Sequence, residues 1–243
     1  AYEIRVSLVG SEMCIRDRSL FGQIAYIGST TGLNMIINIF FGVILNAAMG
    51  IAQQVNSAIY NFVSNFQVAF NPQLVQSYSS GDMESHRKLI SRSSRLSYYL
   101  LFIIALPILV NTNFILQLWL TDVPDKTVIF TQLIIIFSLL EAIGAPLWMS
   151  MQAIGRIKIY QIVISSINIL NLPLAYLSLE YQSSAESIFY IKIILGVVMC
   201  IFRISYILPK IQYSITKYFR GVLFPSLFVT IISGVGVYIV SLY

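Results

Sequence analysis

Charge is scarce in this sequence. Only 10% of the 243 residues are Asp, Glu, Lys or Arg, against roughly 25% in a soluble domain. That shortage excludes a soluble globular enzyme and a disordered scaffold alike. Histidine and cysteine are nearly absent: His86 stands alone, and Cys14 and Cys200 are the only thiols. No metal-ligand cluster and no disulfide framework can be assembled from them. The sequence also lacks GxxxxGK[ST], HExxH, GxSxG and any pair of carboxylates at a plausible site, so nothing points to nucleotide hydrolysis or to another catalytic constellation. Alternating segments of about ten residues, the signature of a transmembrane β-barrel, are missing as well.

What is present is apolar. Hydrophobic residues make up 57% of the chain and its mean hydropathy is +0.80. They fall in blocks of about 20 residues, the length that crosses roughly 30 Å of hydrocarbon. The expected fold class is therefore all-α, a polytopic transmembrane helix bundle. Seven spans are predicted, at about 20–42, 46–70, 96–118, 128–150, 158–179, 187–208 and 221–242. The first two are interrupted by amides, and the longest polar connection runs from about Asn71 to Arg95.

The first eighteen residues are set apart. Ala1-Tyr2-Glu3-Ile4 followed by Leu8-Val9-Gly10-Ser11-Glu12-Met13-Cys14-Ile15-Arg16-Asp17 resembles a sequencing-library adapter translated in frame, with residues 4–7 as the variable index. The other reading of 1–18 is a short cytoplasmic linker. Without them the formal net charge remains +5, and residues 19–243 form the transmembrane unit. An odd number of spans and an abrupt apolar end suggest a piece of a longer protein.

Basic residues set the orientation, because short cytoplasmic loops collect Lys and Arg. Arg87, Lys88, Arg92, Arg95, Arg156, Lys158, Arg203, Lys210, Lys217 and Arg220 fall on one side of seven alternating spans, against Lys126 and Lys192 on the other. The first span thus starts in the cytoplasm, and Tyr243 ends outside. Trp119 and Trp148 are expected at the outer and inner interfaces.

The second block carries the clearest functional signal. Asn46, Gln53, Ser57, Tyr60, Ser64, Gln67 and Asn71 recur at helical spacing and share one face. Hydrocarbon cannot satisfy amide side chains, so this face must meet other helices or water. Asn34 and Asn38 extend the pattern into the first block. The preferred reading is the wall of a wet cavity; the alternative is interhelical bonding worth about 0.6 kcal/mol per bond. Glu141 sits mid-span, where a carboxylate costs roughly 2.5–3.5 kcal/mol, so it requires a partner or a proton. It is a candidate coupling group or head-group contact, and equally a protonated structural donor. Pro146 should break the local backbone pairing and turn carbonyls toward the same cavity. Lys192 either snorkels outward near Glu186 or offers a cation to phosphate. Arg203 reads as an inner-interface anchor and His86 as a solvated loop residue.

Asn46-Ala47-Ala48-x-Gly50-Ile51-Ala52, Asn65-Phe66-Gln67, Asn71-Pro72-Gln73, Ser77-Tyr78 and Gly81-Asp82 resemble the polysaccharide-exporter branch of the multidrug/oligosaccharidyl-lipid/polysaccharide exporter (MATE-like) superfamily, among O-antigen flippase-like proteins of lipopolysaccharide biosynthesis. Trp119-Leu120, Val123-Pro124, Gly144-x-Pro146-Leu147 and Gln152-Ala153-x-Gly155-x-Ile157-Lys158-x-Tyr160-Gln161 continue the likeness, which runs from about Ser19 to Arg220. The resemblance implies two six-helix lobes around a central cavity, of which this chain would be the C-terminal lobe plus one extra helix. It implies a flippase, not an enzyme, in a bacterial inner membrane. Such a protein moves undecaprenyl-diphosphate-linked oligosaccharide by alternating access, without a cofactor. The implied partners are that lipid-linked oligosaccharide with its diphosphate head group, membrane lipid, and an N-terminal lobe of the same chain. No nucleic acid is expected.

The runner-up function is a cation-coupled multidrug exporter of the same superfamily. Acidic and aromatic cavity groups would favour the exporter and basic ones the flippase. A membrane-embedded glycan ligase or polymerase is disfavoured because the outer connections are short and lack Arg and His. A structural scaffold is disfavoured by the polar face of the second block.

Overall fold

Hydrocarbon offers no partner for a backbone N–H or C=O, so apolar runs of this length must pair internally as helices. The computed structural model of the chain describes residues 22–155, 157–181, 184–234 and 236. Residues 1–18, Arg156 and Tyr243 lie outside them, and so do the expectations placed on those residues. The helices are α1 (Tyr2–Ser79), α2 (Met83–Val110), α3 (Thr112–Trp119), α4 (Thr127–Ile154), α5 (Lys158–Glu180), α6 (Ser187–Lys210), α7 (Ile215–Tyr218) and α8 (Phe224–Ser241), the last two joined by one π-helical turn.

From Gly22 to Ser79, α1 would measure roughly 87 Å if straight, almost three bilayer cores. It is not straight. Gly42 adopts φ 76°, ψ −170°, a backbone region open essentially to glycine alone. The break divides α1 into two arms, residues 22–41 and 43–79. Leu33 and Ile37 of the first arm share one buried cluster with Ala48, Met49 and Ala52 of the second, so the arms fold back on each other as a hairpin. Among the described residues six helices are long and apolar enough to cross a membrane, against the seven spans expected; the difference is that the first two expected spans are the two arms of the single element α1.

The third span departs most from expectation. The polar stretch 71–95 is helical on both sides of a short turn at Ser80–Asp82. There Gly81 takes φ 75°, and the Asp82 carboxylate accepts the Ser85 N–H at 3.0 Å to cap α2. That bond holds the Asp82 carboxyl below its usual range. The α2 helix therefore begins thirteen residues before the apolar run. Its early buried face is polar, made by His86, Ser91, Ser94 and Ser97. Ser91 Oγ meets Tyr213 Oη at 3.0 Å, Tyr218 Oη donates to Ser94 Oγ at 3.1 Å, and Tyr98 meets Thr230 at 2.5 Å. These hydroxyl contacts dock α7 and α8 against α2.

Apolar burial drives little association between helices in lipid, so close packing must do it. A Cβ on Gly32 would come within 2.6 Å of Leu172, and one on Gly196 within 2.8 Å of Phe137. The missing side chains let α1 close on α5 and α6 close on α4. The outward faces remain apolar, with Ile39, Phe62, Ile103 and Ile194 exposed. At one end of the bundle Lys126 pairs with Glu186 at 2.7 Å, joining the starts of α4 and α6. At the other end, Arg87 Nε donates to Ile211 O at 2.8 Å.

Candidate functional site

Glu141 lies at the midpoint of α4, and its partner comes from α6. Nη1 and Nη2 of Arg203 both reach Glu141 Oε2 at 3.1 Å. Arg203 is no interface anchor: it sits seven residues, about two turns, inside the end of α6, and it is buried. The pair needs Gly144. A Cβ there would lie 2.3 Å from Nη1, so the glycine one turn beyond Glu141 opens the space that the guanidinium fills. A deep carboxylate left alone is costly. Here both guanidinium nitrogens of Arg203 supply that partner.

Lys192 is on the same face of α6 as Gly196, Met199 and Arg203, spaced i, i+4, i+7 and i+11. It does not snorkel to Glu186, which is already held by Lys126. Its Nζ sits 4.7 Å from the centre of the Phe137 ring, a cation–π contact inside the bundle. It also borders a cavity of about 20 Å³ between the first arm of α1, α4, α5 and α6, the size of one water molecule. Ser29, Thr30, Asn168 and Asn171 supply its polar wall. Ser29 Oγ donates to Asn168 O at 2.9 Å, whereas the buried Asn171 Oδ1 has no protein partner. The deep basic and acidic side chains of the described residues are therefore Glu141 and Arg203, which pair, and Lys192, which has no carboxylate partner among them.

The polar face of the second arm borders the packed stripe of Ala52, Ile59, Val63 and Leu74, about a quarter turn round the helix. Asn46, Gln53, Tyr60, Ser64 and Asn71 are half-buried, and Ser57 is exposed. Asn34 is half-buried and Asn38 exposed on the first arm. The Oδ1 atoms of Asn34 and Asn71 have no hydrogen-bond partner. Gln67, on the same face, reaches the carbonyl of Ala142 next to Glu141, so the face and the charged pair adjoin.

Gln67 differs from its neighbours. It is buried, and its Nε2 donates to Ala142 O at a long 3.5 Å. Pro146 explains the bond: it lacks the N–H that would pair with the carbonyl four residues earlier, which is Ala142 O. The carbonyl expected to face the cavity instead meets an amide of the neighbouring helix. Asn56, one turn from Tyr60, likewise accepts from Ser138 Oγ at 2.7 Å.

One further expectation is corrected. His86 is fully buried, held between Ser77 Oγ at 2.9 Å and Ser150 Oγ at 2.8 Å, and it ties α1, α2 and α4 together. Trp148 is half-buried and stacks on Tyr160 with ring centres 5.1 Å apart. Trp119 is exposed at the end of α3.

The cavity beside Lys192 has room for about one water molecule. No curated protein and no solved structure matches the chain. The sequence model of the MatE family matches residues 19–177, from the first arm of α1 through nearly all of α5. The chain belongs to the MatE family, and so to the membrane transporters of the MATE/MOP superfamily.

Proposed function

We propose that this transporter flips a diphosphate-linked lipid oligosaccharide, of the undecaprenyl type, across a bacterial inner membrane for polysaccharide or lipopolysaccharide biosynthesis. The start of the first span lies on the cytoplasmic side. One observation carries the reading. Glu141, the only deep carboxylate among the described residues, is occupied by Arg203, which leaves Lys192 as the surplus charge. A cationic drug would find no free anion in this lobe, whereas a diphosphate would find an ammonium in a low-dielectric setting. Asn34, Asn38, Asn46, Gln53, Ser57, Tyr60, Ser64 and Asn71 form a flank suited to sugar hydroxyls and water.

Lys192→Gln in cells whose surface glycan depends on this chain tests the reading. Export falls at least tenfold, and Lys192→Arg restores most of it. Normal export by Lys192→Gln, or Glu141-dependent resistance to cationic drugs, would overturn it in favour of the exporter.

A further inference from the structure

We propose that the cleft between the start of α2 and the turn joining α6 to α7 binds the phosphate head group of an anionic membrane lipid. The cleft has a volume of about 640 Å³, within the range of sites that enclose a small ligand. Arg87, Arg92 and Arg95 line it from successive turns of α2, and Lys217 lines it from α7, more than 120 residues later. Lys88 also lines it but is neutralised by Glu84 at 2.5 Å, the one acidic residue in the wall. Arg92, Arg95 and Lys217 have no carboxylate partner among the described residues.

Topology alone accounts for cations at this end of the bundle. It does not account for their convergence on one concavity from two separate elements, where like charges repel. The cleft is built rather than incidental. Arg87 Nε donates to Ile211 O, Ser91 meets Tyr213 Oη, and Gln212 at the rim is held at φ 52°. A left-handed non-glycine residue is a conformation that persists only when its surroundings fix it. Guanidinium forks match phosphate oxygens bidentately, and basic pockets between helices at a cytoplasmic face suit doubly anionic head groups. The lipid source follows from the surroundings. Exposed Leu96 adjoins Arg95, and exposed Phe219 and Phe224 follow Lys217 within two turns. The cationic cleft thus continues into an apolar surface that acyl chains would cover, which a soluble phosphate would not need.

The test is native mass spectrometry of the detergent-solubilised full chain with equimolar cardiolipin and phosphatidylcholine. Cardiolipin is retained preferentially. The triple variant R92Q/R95Q/K217Q weakens its binding about a hundredfold, from roughly fivefold per cation, without changing phosphatidylcholine retention. R92K/R95K/K217R, which keeps the charge and loses two of the forks, binds between wild type and the triple glutamine variant, and R95Q alone shows the fivefold loss should the triple variant fail to fold. Equal cardiolipin retention by wild type and by R95Q would overturn the site. Displacement of cardiolipin by millimolar inorganic pyrophosphate would overturn the lipid as its occupant.

Discussion

Replacing Gly144 with alanine is the smallest change that reaches the charged centre. The new Cβ would lie 2.3 Å from Arg203 Nη1 and 3.1 Å from its Cδ. Ordinary contact needs about 3.5 Å, so the guanidinium must retreat by roughly 1 Å. Its two bonds to Glu141, now 3.1 Å, would then stretch to about 4 Å and cease to be hydrogen bonds. Bonds to charged groups contribute about 1.5–3 kcal/mol each. Both arms share one oxygen and Glu141 keeps 26% side-chain exposure, so the pair together is worth about 2–3 kcal/mol rather than twice the single value. For a chain of this size that lowers the unfolding temperature by roughly 5–10 °C. The assay is thermal unfolding in detergent followed by size-exclusion chromatography. The same substitution placed in an E141Q/R203M background costs less than about 1 kcal/mol, because the bonds it disrupts are already gone. An equal loss in both backgrounds, or none in the wild type, would refute the packing argument.

Four further outcomes are expected. Arg203→Met alone destabilises by about 3–5 kcal/mol because it strands a buried carboxylate, whereas E141Q/R203M folds nearly as well as wild type; chemical denaturation of the three proteins separates these. Gly42→Ala costs roughly 1–3 kcal/mol by forcing a Cβ into a glycine-only conformation at the hairpin break, and an unchanged melting curve would count against that break. His86→Ala strands the buried Ser150 hydroxyl and opens a cavity, for a loss of about 3 kcal/mol, seen as a lower unfolding midpoint. Because Asp82 titrates below its unfolded value, its cap is fully present above that value and drains as pH falls through the lowered one. The Ser85 amide's protection, measured against its intrinsic exchange rate at each pH, should hold at pH 5 and fall only in stronger acid.

The spans were legible because hydrophobicity and length suffice to place them: 128–150 and 187–208 fall inside Thr127–Ile154 and Ser187–Lys210. The start of α2 was not. Its buried face is made of Ile90 among serines and one histidine, so no apolar run announces it, and the contacts that hold it come from Ser77 before the turn and from Ser150, Tyr213 and Tyr218 far along the chain. Asp82 as an N-cap residue type with acidic Glu84 in the turn that follows was the available signal for an earlier helix start. The need of Glu141 for a partner followed from dielectric reasoning, but Arg203 is 62 residues away. The rule that arginines mark interfaces hid it. Counting two full turns of apolar sequence beyond Arg203 would have placed it inside the span. The bond from Gln67 to Ala142 O was half visible: Pro146 frees that carbonyl, and only the fold says which amide arrives.

Water along the polar side of the second α1 arm is the central claim, and substituted-cysteine labelling reads it most directly. With Cys14 and Cys200 replaced, single cysteines at Asn46, Gln53, Ser57, Tyr60, Ser64 and Asn71 should react with a membrane-impermeant thiol reagent in intact membranes. Cysteines at Phe62 and Ala69, on the opposite side of the helix, should not. Labelling at Phe62 and Ala69 equal to that at Gln53 and Ser64, or silence at all eight positions, would contradict the account.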